Sequence, residues 1–226
     1  MDGFIIIDKP SGITSHDVVS FIRRKLKMRR VGHAGTLDPL ATGVLVVLLG
    51  QSTKLFDRFS SFDKAYEATL TLGTTTDTAD TQGKVLNMLP YEDVTRERVE
   101  SVFRTFLGDI EQVPPMVSAV KVQGKRLYKL ARKGIEVVRE PRQIRINRLE
   151  LIDFSLPKVK FHLECSKGTY VRKIAEDVGA ILGCGGCISQ IRRLSVGPFD
   201  IKSAVSLEEV SERHILKWGE KGVGVL

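Results

Sequence analysis

The sequence predicts an α+β fold, with a sheet and helices in no regular alternation, rather than a doubly wound sheet. Three observations carry that expectation. Segments with a two-residue hydrophobic period and segments with a helical period follow one another in irregular order. No GxGxxG or Walker-type glycine loop occurs, which excludes the common nucleotide-cofactor folds. The 226 residues, 42% of them hydrophobic, suffice for one substantial core, and no apolar run reaches the roughly 18 residues of a membrane span.

The elements follow in order. Phe4 to Ile7 reads as a short buried strand, stopped by Pro10, Ser11 and Gly12. Thr14 and Asp17 form a capping box for a helix to about Met28, with Val18, Ile22 and Leu26 inward and Arg23, Arg24 and Lys27 outward. A glycine-rich loop spans Gly32 to Gly43, and Val44 to Leu49 is an apolar run of strand length. Residues 65 to 72 alternate, with Tyr66, Ala68, Leu70 and Leu72 on the inner face. Thr76 to Gly83 is a polar loop holding Asp77 and Asp80. Thr95 to Leu107 carries the stripe Val99, Val102, Phe103 and Phe106, closed by Gly108. A short helix is expected from Lys125 to Lys133, and strands near 143 to 154 and 158 to 165. Thr169 to Leu182 reads as a helix with Ile174, Ala175, Val178 and Ile181 inward, ending at Gly183. Ile188 to Val196 reads as a strand, and Ser206 with Glu209 resembles the cap of a terminal helix.

The formal charge of +8 is unevenly placed: residues 121 to 148 hold ten Lys or Arg against two Glu. Arg23, Arg24, Lys25, Lys27, Arg29 and Arg30 make a second cluster. One such cluster is commonly a solvated face; two point to a polyanion, because each neutralised phosphate releases counterions. Three cysteines, an odd number, fit a reducing, cytoplasmic setting better than a disulfide framework. His162 with Cys165, and Cys184 with Cys187, offer zinc-ligand types in pairs. Strand parity opposes that reading: Val159, Phe161, Leu163 and Cys165 share the apolar face, and His162 points the other way. Cys165 is therefore expected in the core, and no metal is expected.

The stretch from Gly32 to Gly43 concentrates His33, Thr36, Asp38 and three glycines between a basic helix and a buried strand. Loops of this kind hold reactive groups on a rigid scaffold. Pro39 biases Asp38 towards an extended backbone, and the glycines permit positive φ. Composition alone makes Asp38 the aspartate of a tight turn.

Residues 32 to 45, Gly-His-Ala-Gly-Thr-Leu-Asp-Pro-Leu-Ala-Thr-Gly-Val-Leu, resemble the signature of the TruB family of tRNA pseudouridine-55 synthases. The similarity continues through Asp8-Lys-Pro-Ser-Gly12, Lys64-Ala-Tyr66, Thr76-Asp-Thr-Ala-Asp80, Pro114-Pro-Met-Val-Ser-Ala119, Gly168-Thr-Tyr-Val-Arg172 and Ile191-Arg-Arg-Leu194, in order over about the first 200 residues. The resemblance implies the pseudouridine synthase catalytic fold, a mixed, largely antiparallel central sheet flanked by helices. It implies isomerisation of uridine 55 in the T loop of tRNA by base flipping, with no cofactor.

Carried over by position, Asp38 is the catalytic aspartate and Arg172 the arginine that pairs with it. Tyr66 stacks on the target base and is a candidate for proton removal. Tyr170 and Ile191 line the uridine pocket, His33 enters the vacated stack and Asp80 lies near the site. Arg23, Arg24, Lys27, Arg29, Arg30, Lys121, Lys125, Arg126, Lys129 and Arg132 are assigned to the RNA backbone. Residues 1–205 are expected to form the catalytic domain and 206–226 a short extension, with the PUA-type domain of relatives absent or truncated. The expected partner is the tRNA T arm, with no membrane, no obligatory protein partner and a monomeric state. The alternatives are a guide-RNA-dependent ribosomal RNA synthase and a non-catalytic tRNA-binding or tRNA-folding protein.

Overall fold

The computed structural model describes residues 1–118, 121–122, 124–127, 130, 134–135 and 137–219. The chain divides into two compact units: unit 1 comprises Met1–Tyr66 and Ile191–Leu226, and unit 2 comprises Glu67–Gln190. The chain begins with β1 (Gly3–Lys9), α1 (Ser15–Lys25), β2 (Val31–Ala34), β3 (Thr42–Leu49), α2 (Phe56–Ser60) and β4 (Lys64–Leu72). It continues through β5 (Thr74–Thr76), β6 (Val85–Met88), α3 (Arg96–Thr105), β7 (Gly108–Gln112), β8 (Lys121–Val122), β9 (Lys125–Arg126) and β10 (Arg142–Ser155). Then follow β11 (Lys158–Cys165), α4 (Val171–Leu182), β12 (Gly186–Val196) and β13 (Phe199–Asp200). The α+β class expected from the sequence is the one observed.

In unit 1, β3 is an apolar run buried along its whole length from Gly43, and it is the strand on which the others pair. β1 lies antiparallel to it from Gly3↔Leu49 to Lys9↔Gly43, and β2 pairs antiparallel with Val46 to Leu49. The last part of β12 runs parallel to β3 at Arg192↔Thr42 and Arg193↔Gly43. Alternate residues Phe4 and Ile6 of β1 and Val44, Val46 and Leu48 of β3 share one core with Phe59 and Phe199. Phe59 stacks on Phe199 with ring centroids 5.5 Å apart, and Trp218 meets Phe59 at 4.8 Å. Leu216 pairs with Phe4 and Val205 with Ile7, so the C-terminal segment is tied onto β1.

The end of β1 is unusual because Lys9 is fully enclosed. Its ammonium donates to the carbonyls of Pro10 and Ile13 at 2.8 Å and of Pro39 at 3.4 Å. Burial pulls its pKa down to about 8 from 10.5; the charge of Asp38 opposes the shift, Arg193 reinforces it and Asp17 opposes it.

In unit 2 the strand order is β4-β11-β10-β7, with antiparallel pairing of β10 to β11 and to β7. The first part of β12 lies beside β4, where the Ser189 hydroxyl donates to the Thr69 carbonyl at 3.2 Å. Helix α3 is capped by Thr95 and buries Val99, Val102 and Phe103, with Phe103 edge-on to Phe161 at 5.7 Å. Helix α4 ends on Gly183 in the left-handed conformation. A Cβ on Gly179 would fall 2.4 Å from the Gly185 carbonyl carbon, so the helix sits directly on the turn that follows it. Among the described residues, no helix is long and apolar enough to cross a membrane.

Four local expectations change. The loop expected from Gly32 begins later, because Val31–Ala34 pairs with β3 and satisfies its backbone there. Ile181 is 54% exposed, and Leu182 takes the buried position at the end of α4. Ser206 does bond Glu209 at 2.9 Å, but Leu207 to Glu209 form a turn and not a terminal helix. Lys125 and Arg126 form β9 of a small hairpin with β8, so the helix expected from Lys125 starts later: Leu127 and Leu130 are helical, and the rest of 128 to 133 lies outside the described residues.

Two outcomes follow. Phe59→Ala removes the ring shared by Phe4, Phe62, Phe199 and Trp218 and should cost about 3–5 kcal/mol in urea unfolding, in line with other buried aromatic truncations. Lys9 has the opposite pH signature to a salt-bridged lysine. Below about pH 8 both states hold its proton; between about 8 and 10.5 the folded state releases the proton that the unfolded chain keeps. Stability of the parent relative to Lys9→Met should therefore rise across that window, and a flat or falling difference would contradict the enclosed charge.

Candidate active site

Asp38 lies half-buried in the segment between β2 and β3, where the backbone has no strand partner of its own. Side chains and the turn before α1 supply the missing bonds. Ser15, the first residue of α1, accepts from the Leu37 amide at 2.8 Å and donates to its carbonyl at 3.0 Å. The Gly12 amide donates to the Pro39 carbonyl at 2.8 Å, which Lys9 also reaches, and the Ser11 hydroxyl donates to the Leu40 carbonyl at 3.2 Å. The Asp38 carbonyl accepts from the Ala41 amide at 3.1 Å, closing a turn. Arg193 holds the flanks, donating to the Gly35 carbonyl at 2.9 Å and the Val44 carbonyl at 2.7 Å. The capping box of Thr14 and Asp17 fixes the start of α1 and so the place of Ser15. The result is a carboxylate on a short loop tethered at Gly35, Leu37, Pro39 and Leu40, near an enclosed lysine. Such a group suits nucleophilic or charge-stabilising work.

Unit 1 also carries His33, half-buried in β2 opposite Val47, and Tyr66, 7% exposed in β4. Ile191 is half-buried, and its carbonyl accepts from Thr42 at 3.4 Å. Beside it Arg192 forms a 2.7 Å ion pair with Asp8.

Unit 2 carries Asp80, Tyr170 and Arg172. The Arg172 side chain, 4% exposed, donates to the Thr78 carbonyl at 2.6 Å and the Val117 carbonyl at 2.8 Å. Its Nε lies 3.8 Å from the Asp80 carboxylate. Asp80 is itself buried and accepts from the Thr78 hydroxyl at 2.7 Å and the Gln82 amide at 3.1 Å. The structure thus brings Asp80 and Arg172 together. Tyr170 precedes α4, and the buried Gln112 amide grips its backbone, accepting from the Tyr170 amide at 2.8 Å and donating to its carbonyl at 3.2 Å. The Cys187 thiol is pushed up by burial and then by the charge of Asp80. Cys165 is fully buried, as parity required, and His162 lies 3.1 Å from Glu164. Among the described residues no group of three His, Cys, Asp or Glu is placed to hold a metal ion.

The basic residues assigned to RNA fall into two groups. Arg24, Lys27 and Arg29 are exposed at the end of α1 and in the turn after it. Arg23 is committed to the Val31 carbonyl at 2.7 Å, and Arg30 to Thr53 at 2.7 Å and Gln51 at 3.3 Å. Lys121, Lys125 and Arg126 lie on β8 and β9; Lys129 and Arg132 lie outside the described residues.

Lys9, Ser15, Gln112 and Arg193 carry structural roles that motif reading did not assign. Lys9 had a signal in the sequence, since it is a charged residue ending a strand of buried apolar residues; Arg193 had none, its neighbours Ile191, Arg192 and Leu194 being half-buried. Ser15 and Gln112 had none, because their partners are backbone groups remote in the chain.

The chain as a whole is similar to known proteins. The TruB family pseudouridylate synthase N-terminal domain matches residues 23–171, and the tRNA pseudouridylate synthase B C-terminal domain matches residues 172–221. The chain is 49% identical over 210 residues to the tRNA pseudouridine synthase B of Opitutus terrae, covering 93% of this chain and 87% of that one. It is 50% identical over 210 residues to the enzyme of the same name from Syntrophotalea carbinolica, covering 93% and 69%. Among solved structures it is similar to a chain of a Cbf5-Nop10-Gar1 complex, with 30% identity and a TM-score of 0.74. That match covers 98% of this chain and 57% of the solved one. With a family domain matched over most of its length and relatives near half identity, the chain belongs to the TruB family of pseudouridylate synthases.

Proposed function

We propose that this protein isomerises uridine to pseudouridine at position 55 in the T loop of tRNA, as a monomer acting without a guide RNA, an obligatory protein partner or a cofactor. The observation that supports it most is the Asp38 loop, whose backbone is tethered at Gly35, Leu37, Pro39, Leu40 and Val44 in a chain of this family. In the reaction the bond from the sugar to N1 of the base breaks, the base turns, and C5 bonds to the sugar. The C5 proton leaves and N1 gains one, so product and substrate have the same composition.

In this reading Asp38 is the nucleophile, or the carboxylate that stabilises positive charge at the sugar. Arg172 pairs with it, and the guanidinium compensates the carboxylate for lost water. Tyr66 stacks on the base, with Tyr170 and Ile191 as apolar walls and Asp80 beside Arg172. The base lies in a folded loop, so it must be flipped out at a cost of roughly a few kcal/mol, and His33 fills the gap. Arg24, Lys27 and Arg29, with the basic hairpin of β8 and β9, contact backbone phosphates, which position the RNA without reading its sequence. Residues 1–205 form the catalytic domain and 206–226 a short extension. The Cbf5 likeness favours a second reading, a guide-dependent synthase acting on ribosomal RNA; the relatives near half identity favour the stand-alone reading.

Unmodified tRNA incubated with the protein alone should acquire pseudouridine at position 55, and Asp38→Asn should lower the rate by roughly 1,000-fold or more with binding retained. Product only when a guide RNA is added would move the assignment to the second reading. Binding without product in the parent protein would make the chain a tRNA-binding protein. Affinity for an isolated T-arm hairpin should be comparable to that for whole tRNA, and a large preference for whole tRNA in a binding titration would contradict recognition confined to the T arm.

A further inference from the structure

Arg193 is the largest of the fully buried side chains described, at 1% exposure. Burying a guanidinium is expensive, and an aliphatic residue would fill the same strand position without that cost. The reason for the charge lies in what it touches. Nε donates to the Val44 carbonyl at 2.7 Å and one terminal nitrogen donates to the Gly35 carbonyl at 2.9 Å. Residues 35 and 44 bracket Asp38. One planar, rigid group therefore spans both flanks of the loop, and the geometry of the fork sets how far apart they stand.

The backbone of Arg193 is as firmly placed as its side chain. It pairs with Gly43, where a Cβ would fall 2.2 Å from the Arg193 carbonyl oxygen and where φ is +99°. Only glycine permits that approach. At the other flank Gly35, with φ +83°, passes beneath the guanidinium, and a Cβ there would stand 3.6 Å from a terminal nitrogen. The two glycines of the loop thus adapt its backbone to the arginine. Lys9, which holds the Pro39 carbonyl, is near enough to feel the charges of both Arg193 and Asp38.

We propose that Arg193 is the positioning residue for Asp38: it fixes the spacing of Gly35 and Val44, and through them the carboxylate. The consequence for catalysis rests on the isomerase reading above; the consequence for the loop does not. A displacement of the order of 1 Å at a reacting group costs on the order of 100-fold in rate, with little effect on binding surfaces elsewhere.

The test uses Arg193→Lys and Arg193→Gln in the full chain, with three readouts. These are amide hydrogen exchange of the protein alone, the single-turnover rate at saturating protein, and the Kd for a T-arm hairpin. Both variants should exchange faster across residues 35 to 44 while the amides of α3 and α4 keep their protection. Rates should fall by about tenfold to 100-fold, with Kd changed less than about threefold. Lysine, which can hold one carbonyl but not both, should fall between the parent and glutamine. Unchanged exchange across 35 to 44 overturns the proposal, as does a loss of affinity matching the loss of rate. Loss of cooperative unfolding in both variants also overturns it, because Arg193 would then support the whole of unit 1. A parent protein that makes no pseudouridine overturns the isomerase reading, and the exchange result still decides whether Arg193 holds the loop.

Discussion

A carboxylate that must act from a fixed point cannot be held by a loop without bonds of its own. The segment between β2 and β3 has no strand to pair with, so its carbonyls and amides are taken up by groups brought from elsewhere in unit 1. Ser15 comes from the start of α1, Lys9 from the end of β1 and Arg193 from β12. Each arrives because its own element is fixed on the buried strand β3 or capped beside it. The pairing of β1 and β12 with β3 is therefore the condition for the site as well as for the fold.

Two buried cations follow from this arrangement. Lys9 and Arg193 are both enclosed; Lys9 donates to the carbonyls of Pro10 and Ile13 and reaches that of Pro39 beside Asp38, and Arg193 donates to those of Gly35 and Val44 on its flanks. Charge inside a protein is tolerated when its donors are satisfied and an opposite charge is near. The carboxylate of Asp38 is that nearby charge for Lys9. Unit 2 solves the same problem differently: Arg172 is satisfied by two carbonyls, with Asp80 nearby, and Gln112 grips the turn that begins α4.

Much of this was legible in the sequence. Period gave the strands at 65 to 72 and 158 to 165 and the buried faces of α1 and α3, because each of those elements buries one face against a single core. Capping residues placed the helix starts at Thr14 and Thr95. The errors have local causes. Ile181 fits the helical stripe, but it is exposed and Leu182, one position on at the end of α4, is buried instead. Ser206 has its capping partner, but the following residues are drawn onto β1 by Val205 and Leu216. In the Asp38 segment the motif pointed to the residue proposed as reactive and not to its supports. A hydrogen bond from Ser15 or Arg193 to a distant carbonyl leaves no periodic trace.

The central claim is that a tethered aspartate breaks and remakes the link between uracil and ribose. Exchange of the C5 proton reports that event directly, since C5 must lose its hydrogen when it bonds to the sugar. Transfer RNA carrying uridine tritiated at C5 should release tritium to water on incubation with the parent protein and not with Asp38→Asn. Tritium retained by RNA that the parent protein demonstrably binds would contradict the account.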